Sequence, residues 1–261
     1  MSISVILMII NFVSIILIIS YLSGKTLGYE MIINDEFSTY VKDKKILNEY
    51  YFEKLHNTSS ESRKFVKSDS INFNLKLIDK DEYLETNEAI EFLDKNINLY
   101  VEGYNLILDG KKIANIDGKE VFDNVKERLI KYYLKEHNLE NSQINWTKIK
   151  EDVKLEKDVI NLKSLLSEDE LYDFIISNNK NNNTIATVEI VARKTYLENN
   201  LGNKIQVVSL SSQSNQKEQY NKKNFDREVV NEITYNNDKY IGMRRVSSKT
   251  LKPSLSEVQG N

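Results

Sequence analysis

Ile3 to Leu22 reads ISVILMIINFVSIILIISYL, twenty residues without a charge, and the rest of the chain is organised around what that segment must do. As a helix it is about 30 Å long, the thickness of a bilayer's hydrocarbon core. Eight Ile, three Leu, two Val and Phe12 favour insertion by about 4 to 8 kcal/mol together, enough to carry Asn11 and the serines. Ile3, Ile10, Phe12, Ile16 and Leu22 mark the membrane anchor, whose partner is membrane lipid. No Lys or Arg precedes the run and no A-x-A-like site follows at Ser20 to Gly24, so an uncleaved anchor is expected rather than a signal peptide.

Beyond residue 24 the composition changes. All 36 Lys and Arg and all 39 Asp and Glu lie there, so an apolar anchor is joined to a polar body. With no cysteine among 261 residues, disulfides, thiolate metal sites and cysteine nucleophiles are excluded. The net charge of -3 does not suggest a nucleic-acid groove. Lys239, Arg244, Arg245, Lys249 and Lys252 make the end of the chain locally basic, which reads as a solvated end. The abundance of Asn, Lys, Ile and Tyr points to an AT-rich bacterial genome. A cysteine-free, Asn-rich and Tyr-rich body beside a terminal anchor is expected to be extracytoplasmic, since large domains translocate largely regardless of charge.

Gly24 to Gly28 breaks or bends the first helix. Ile33, Phe37, Tyr40, Lys44, Leu47, Tyr51 and Lys54 then recur at spacings of four and three, which predicts an amphipathic helix from about Tyr29 to Leu55. Its apolar stripe of Ile33, Phe37, Tyr40, Leu47 and Tyr51 is expected to bind another helix, from the head or from another subunit. His56 to Ser70 reads as a loop. Ile71, Phe73, Leu75 and Leu77 alternate with polar residues, a strand with one buried face. A helix over Thr86 to Asn96 follows. A hairpin turning at Asp109-Gly110 comes next, and then an amphipathic helix over Lys119 to Asn138. Glu140 to Leu166 alternates weakly and predicts only short strands. Ser167-Glu168-Asp169-Glu170 is a capping box opening another helix, which ends in Asn178 to Asn183. Strands are expected over Thr184 to Leu197, Lys204 to Ser211 and Val229 to Met243, the last folded at Asn236 to Asp238. The last 13 residues, with Pro253, read as a frayed tail.

The fold class is therefore α+β. A transmembrane anchor (1–24) continues into an amphipathic stalk helix (25–56), followed by an extracytoplasmic head of helices and antiparallel strands (57–248) and a flexible tail (249–261). No solenoid repeat is apparent; the Asp-Gly-Lys triplets at 109 and 117 are explained by turn chemistry.

Motifs for chemistry are mostly missing. Gly24-Lys25-Thr26 imitates the end of a phosphate loop, but Ile19 stands where the first glycine belongs. The eight glycines allow no G-x-G-x-x-G. His56 and His137 fall at helix ends, where a cation meets the negative end of the dipole, and no G-x-S-x-G is present. Asp79-Lys80-Asp81-Glu82 resembles the start of a calcium loop with Leu84 in place of its glycine, and reads as an acidic turn. The pairs Tyr50-Tyr51 and Tyr132-Tyr133 read as core packing. Asn57, Asn145 and Asn182 match the glycosylation acceptor pattern, as chance allows in so Asn-rich a chain. No catalytic residue, cofactor or metal ligand is expected.

The layout of Ile3 to Leu22 followed by the seam Ile33 to Lys54 resembles pilin-like proteins, including the minor pseudopilins of tight-adherence pilus systems. The resemblance implies a non-catalytic structural subunit of a surface appendage, with other subunits as partners. An anchored subunit of a secretion or conjugation channel and an extracytoplasmic sensor or carboxylate-dependent enzyme are the alternatives.

Overall fold

The computed structural model describes residues 3–59, 63–139, 143–201, 204–210 and 226–251. α1 (Ile3–Ser23) runs through the apolar segment. The chain divides into two compact units, one of residues 1–104 and 157–165 and one of 105–156 and 166–261.

The amphipathic helix expected from Tyr29 to Leu55 does not form as one piece. One residue after α1 the chain enters β1 (Lys25–Ile33), turns, and returns as β2 (Phe37–Val41) before α2 (Lys44–Thr58) begins. The start of this segment also carries a period of two, because Leu27, Tyr29, Met31 and Ile33 lie two apart, with Gly28 and Glu30 between the first three. Pairing with a second strand selects that period: β4 (Ile71–Asp79) lies antiparallel to β1 with Leu77, Leu75, Phe73 and Ile71 opposite those four residues. Asn34 and Asp35 make the turn at positive φ, 52° and 58°, which Asn and Asp tolerate better than most residues. Asp43 caps α2 by accepting from the Lys45 N–H at 2.7 Å.

The first unit continues with β3 (Phe65–Ser68), inside the segment expected to be a loop, then β4, β5 (Tyr83–Leu84) and α3 (Thr86–Asn96). Its first sheet has the order β4-β1-β2-β5. Met31, Ile33, Val41, Leu47, Ala89, Leu93, Ile97 and Leu99 form its core, with Tyr50 and Tyr51 packed against it. The stripe is thereby corrected. Ile33 and Leu47 are buried core, Tyr40 and Tyr51 are half-buried, and only Phe37 stays exposed.

The division passes through β6 (Leu99–Leu108), which turns at Asp109-Gly110 into β7 (Lys111–Ile116) as expected. Asp109 and Gly110 take φ of 49° and 77°. α4 (Lys119–Glu136), β8 (Ile144–Ile149), β9 (Val153–Asn161), β10 (Leu165–Leu166) and α5 (Glu168–Lys180) follow. Strand β9 is longer than the weak alternation suggested. The capping box at Ser167 is formed in both directions: the Glu170 N–H donates to Ser167 Oγ, and the Ser167 N–H donates to Glu170 Oε2 at 2.8 Å. The second unit ends in β11 (Val188–Leu201), β12 (Lys204–Leu210), β13 (Arg227–Asn236) and β14 (Lys239–Thr250), in the order β12-β11-β13-β14. Strand β14 thus takes in the start of the segment expected to be the tail (249–261), and 252–261 lie outside the described residues.

A tandem repeat missed by sequence reading is built into this order. β1-β2-α2-β3-β4-β5-α3 is followed by β6-β7-α4-β8-β9-β10-α5. β9 pairs with β6 as β4 does with β1, β10 neighbours β7 as β5 does β2, and β8 joins β11 as β3 joins β6. Residues 27–47 align without a gap on 102–122, bringing Gly28-Tyr29 onto Gly103-Tyr104 and the turn Asn34-Asp35 onto Asp109-Gly110. Residues 71–93 align likewise on 153–175, bringing Ile78 onto Ile160 and the capping-box residues Glu85 and Glu88 onto Ser167 and Glu170. Buried positions coincide: Met31 with Leu106, Ile33 with Leu108, Val41 with Ile116, Leu47 with Phe122, Ala89 with Leu171 and Leu93 with Ile175. Few side chains are identical, and the unit exceeds the 20 to 50 residues at which periodicity is usually sought.

Candidate membrane-contacting site

α1 contains no acidic residue in its first turn and no basic residue in its last. None of the span Ile6–Ser23 is buried, and its mean hydropathy is 2.5. Ile10, Phe12, Ile16 and Leu22, expected to contact lipid, are all exposed, and Ile3 begins the helix. The protein thus has one N-terminal helix long and apolar enough to cross a membrane, a property shared with signal sequences.

The end of α1 is tied to the first unit by polar contacts that sequence reading did not foresee. Lys80 Nζ donates to the Ser23 carbonyl at 2.8 Å, and the Lys80 N–H donates to the Gly24 carbonyl at 3.1 Å. A cation is thereby placed on the carbonyl of Ser23, one of those the helix leaves unsatisfied. Lys25 Nζ pairs with Asp79 Oδ2 at 2.6 Å and lies 5.3 Å from the centre of the Tyr21 ring. The hydrogen bond to Asp79 raises the Lys25 pKa above its ordinary value. So the acidic turn Asp79 to Glu82 secures the helix end. Gly28 is equally constrained, because a Cβ there would lie 2.6 Å from Ile78 Cδ1 and 2.9 Å from the Val41 carbonyl oxygen.

Beside this junction the sheet is uncovered. Leu27, Leu75 and Leu77 are 65%, 62% and 44% exposed, although Met31, Ile33, Ile71 and Phe73 farther along the same face belong to the core or pack against it. The single buried face expected for β4 is therefore covered at one end only. On the opposite face of the pair, Lys76 Nζ meets Glu30 Oε2 at 2.7 Å.

The other chemically notable groups are structural. Glu232 on β13 is 4% exposed at its side chain. Arg244 holds its Oε2 through Nε at 2.9 Å and Nη2 at 2.6 Å; Arg193 and Asn145 reach Oε1 at 3.1 Å. Arg244, and then Arg193, lower the Glu232 pKa, so this carboxylate stays ionised and its lone pairs are occupied. His137 follows α4 as its cap, with Nε2 2.6 Å from the Asn237 carbonyl oxygen and its ring stacked on Tyr235 at 4.0 Å. His56 lies in the last turn of α2. An open groove of about 550 Å³ beside α4 is lined by Lys126, Lys148 and Lys154, but Glu189 and Glu156 pair with the last two. Among the described residues no three carboxylate or imidazole side chains are grouped to hold a metal.

No protein-family model, curated protein or solved structure matches this chain.

Proposed function

We propose that the protein is a single-pass membrane protein whose body is extracytoplasmic and serves as a non-catalytic component of a surface assembly. The observation that carries this reading is the exposure of α1 along its whole span. An apolar helix of that length is stable in lipid and unstable in water. The body adds an exposed strand, β14, on which Tyr240, Ile241, Met243 and Val246 are all uncovered. Exposed apolar strands of this kind are where sheets accept partner chains.

Of the two features that suggested a pilin-like subunit, the apolar helix remains and the continuous stalk helix is replaced by the β1-β2 hairpin and the shorter α2. That replacement favours the second reading, an anchored subunit of a secretion or conjugation channel whose body binds neighbouring subunits, over packing through a continuous helix in a filament.

The anchor is tested by extracting membranes with alkaline carbonate. The full-length chain should stay in the pellet, and a chain lacking residues 1–24 should be released as a folded, soluble protein. Assembly is tested by cross-linking in those membranes, where discrete oligomers are expected. Release of the full-length chain would remove the anchor, and monomer alone would remove the assembly role.

A further inference from the structure

From the uncovered end of the β1-β4 face we infer a second membrane contact: Leu27, Leu75 and Leu77 rest on the bilayer interface, so that this end of the first unit's sheet lies against the lipid. The inference builds on the reading of α1 as a membrane span.

The tandem repeat supplies an internal comparison. At the positions of Leu27, Leu75 and Leu77 the second repeat has Glu102, Lys157 and Val159. Glu102 and Lys157 pair at 2.7 Å, and Lys64 approaches the other oxygen of Glu102 at 3.3 Å; Lys157 and then Lys64 lower the Glu102 pKa. Two of the three positions are thus an ion pair in the repeat that carries no anchor, with Val159 apolar and exposed like Leu77, and all three are leucine in the repeat that does. The scaffold does not require leucine there.

Continuity with α1 identifies the occupant. Leu27 is four residues beyond Ser23, within roughly 13 Å of the helix end at the rise of a strand, and Leu77 lies directly across from it. The Lys80 and Lys25 contacts hold the strands at the helix end. Tyr21 under Lys25, and Tyr29 4.8 Å from Lys44, flank the leucines with the aromatic and lysine side chains that suit the headgroup region. Soluble surfaces seldom cluster exposed leucines without a partner, and the nearest apolar phase for these is the one that holds α1.

The test places single tryptophans in the full-length chain, with Trp146→Phe as background, in phosphatidylcholine vesicles whose acyl chains are brominated near the chain end, to reach the middle of α1, or near the headgroup, to reach the interface. Bromine should quench Phe12→Trp several-fold and Leu75→Trp and Leu77→Trp by roughly half. It should leave Glu36→Trp, in the turn at the far end of β1, unchanged. The variant L27E/L75K, which copies the second repeat, should keep its circular dichroism and abolish quenching of Leu77→Trp. If Phe12→Trp is not quenched, the anchor reading fails and this one with it. If Phe12→Trp is quenched but positions 75 and 77 behave like position 36, the second contact alone is wrong. Blue-shifted, unquenched emission at both would mean a protein covers the patch, which also overturns it.

Discussion

Asp94 on α3 accepts from Tyr50 Oη at 2.6 Å and pairs with Lys54, joining α2 to α3 through one carboxylate. The hydrogen bond to Asp94 and partial burial push the Tyr50 pKa up to about 12. Because the folded value lies above the ordinary one near 10, the associated stability is full below about pH 10 and is lost as pH rises toward 12. Tyr50→Phe should cost about 1 kcal/mol at neutral pH. It should also flatten the decline in stability between about pH 10 and 12, measured by urea unfolding of the detergent-solubilised chain. An unchanged alkaline slope would mean that Tyr50 ionises like an exposed phenol. Glu232 illustrates the opposite sign: its depressed pKa makes its contribution present at neutral pH and lost in acid, below the ordinary carboxylate range.

Among the elements, the β1-β2 hairpin and α2 decide what the apolar residues of 25–56 do. Leu47 is fully buried between strands and α3, and Phe37 is 43% exposed at the start of β2. Leu47→Ala should therefore destabilise the first unit by about 2 to 5 kcal/mol, and Phe37→Ala by about 1 kcal/mol or less. Thermal unfolding followed by circular dichroism separates the two. Equal, small losses accompanied by failed assembly would restore the intersubunit stripe expected from sequence. Helical spacing suggested that stripe because residues four apart share a helix face and can equally be partners across a tight hairpin, as Ile33 and Phe37 are between β1 and β2.

Across the whole molecule, one apolar helix is joined to two copies of an α+β motif, so the side of the membrane on which the body lies governs what it can meet. Protease added to intact cells stripped of their wall should degrade the body and leave a fragment containing α1. Protection until the cells are lysed would place residues 25–261 in the cytoplasm and exclude a surface assembly.

The apolar helix α1 was legible from sequence alone, because the thickness of a hydrocarbon layer implies a length and a composition that no folding partner need supply. So were the Asp109-Gly110 hairpin, α3, α4 and the capping box at Ser167, whose signals lie within a few residues of one another. Only tertiary structure decided the rest. The seam became a hairpin because β4 offered Ile71, Phe73, Leu75 and Leu77 opposite β1, a choice made between segments some forty residues apart. The repeat emerged because burial and strand pairing are shared where side-chain identity is not. The site beside α1 depends on the same pairing: leucines that alternate like core residues are left exposed, although Met31, Ile33, Ile71 and Phe73 on the same face belong to the core or pack against it, and no local pattern records where along a strand the cover stops.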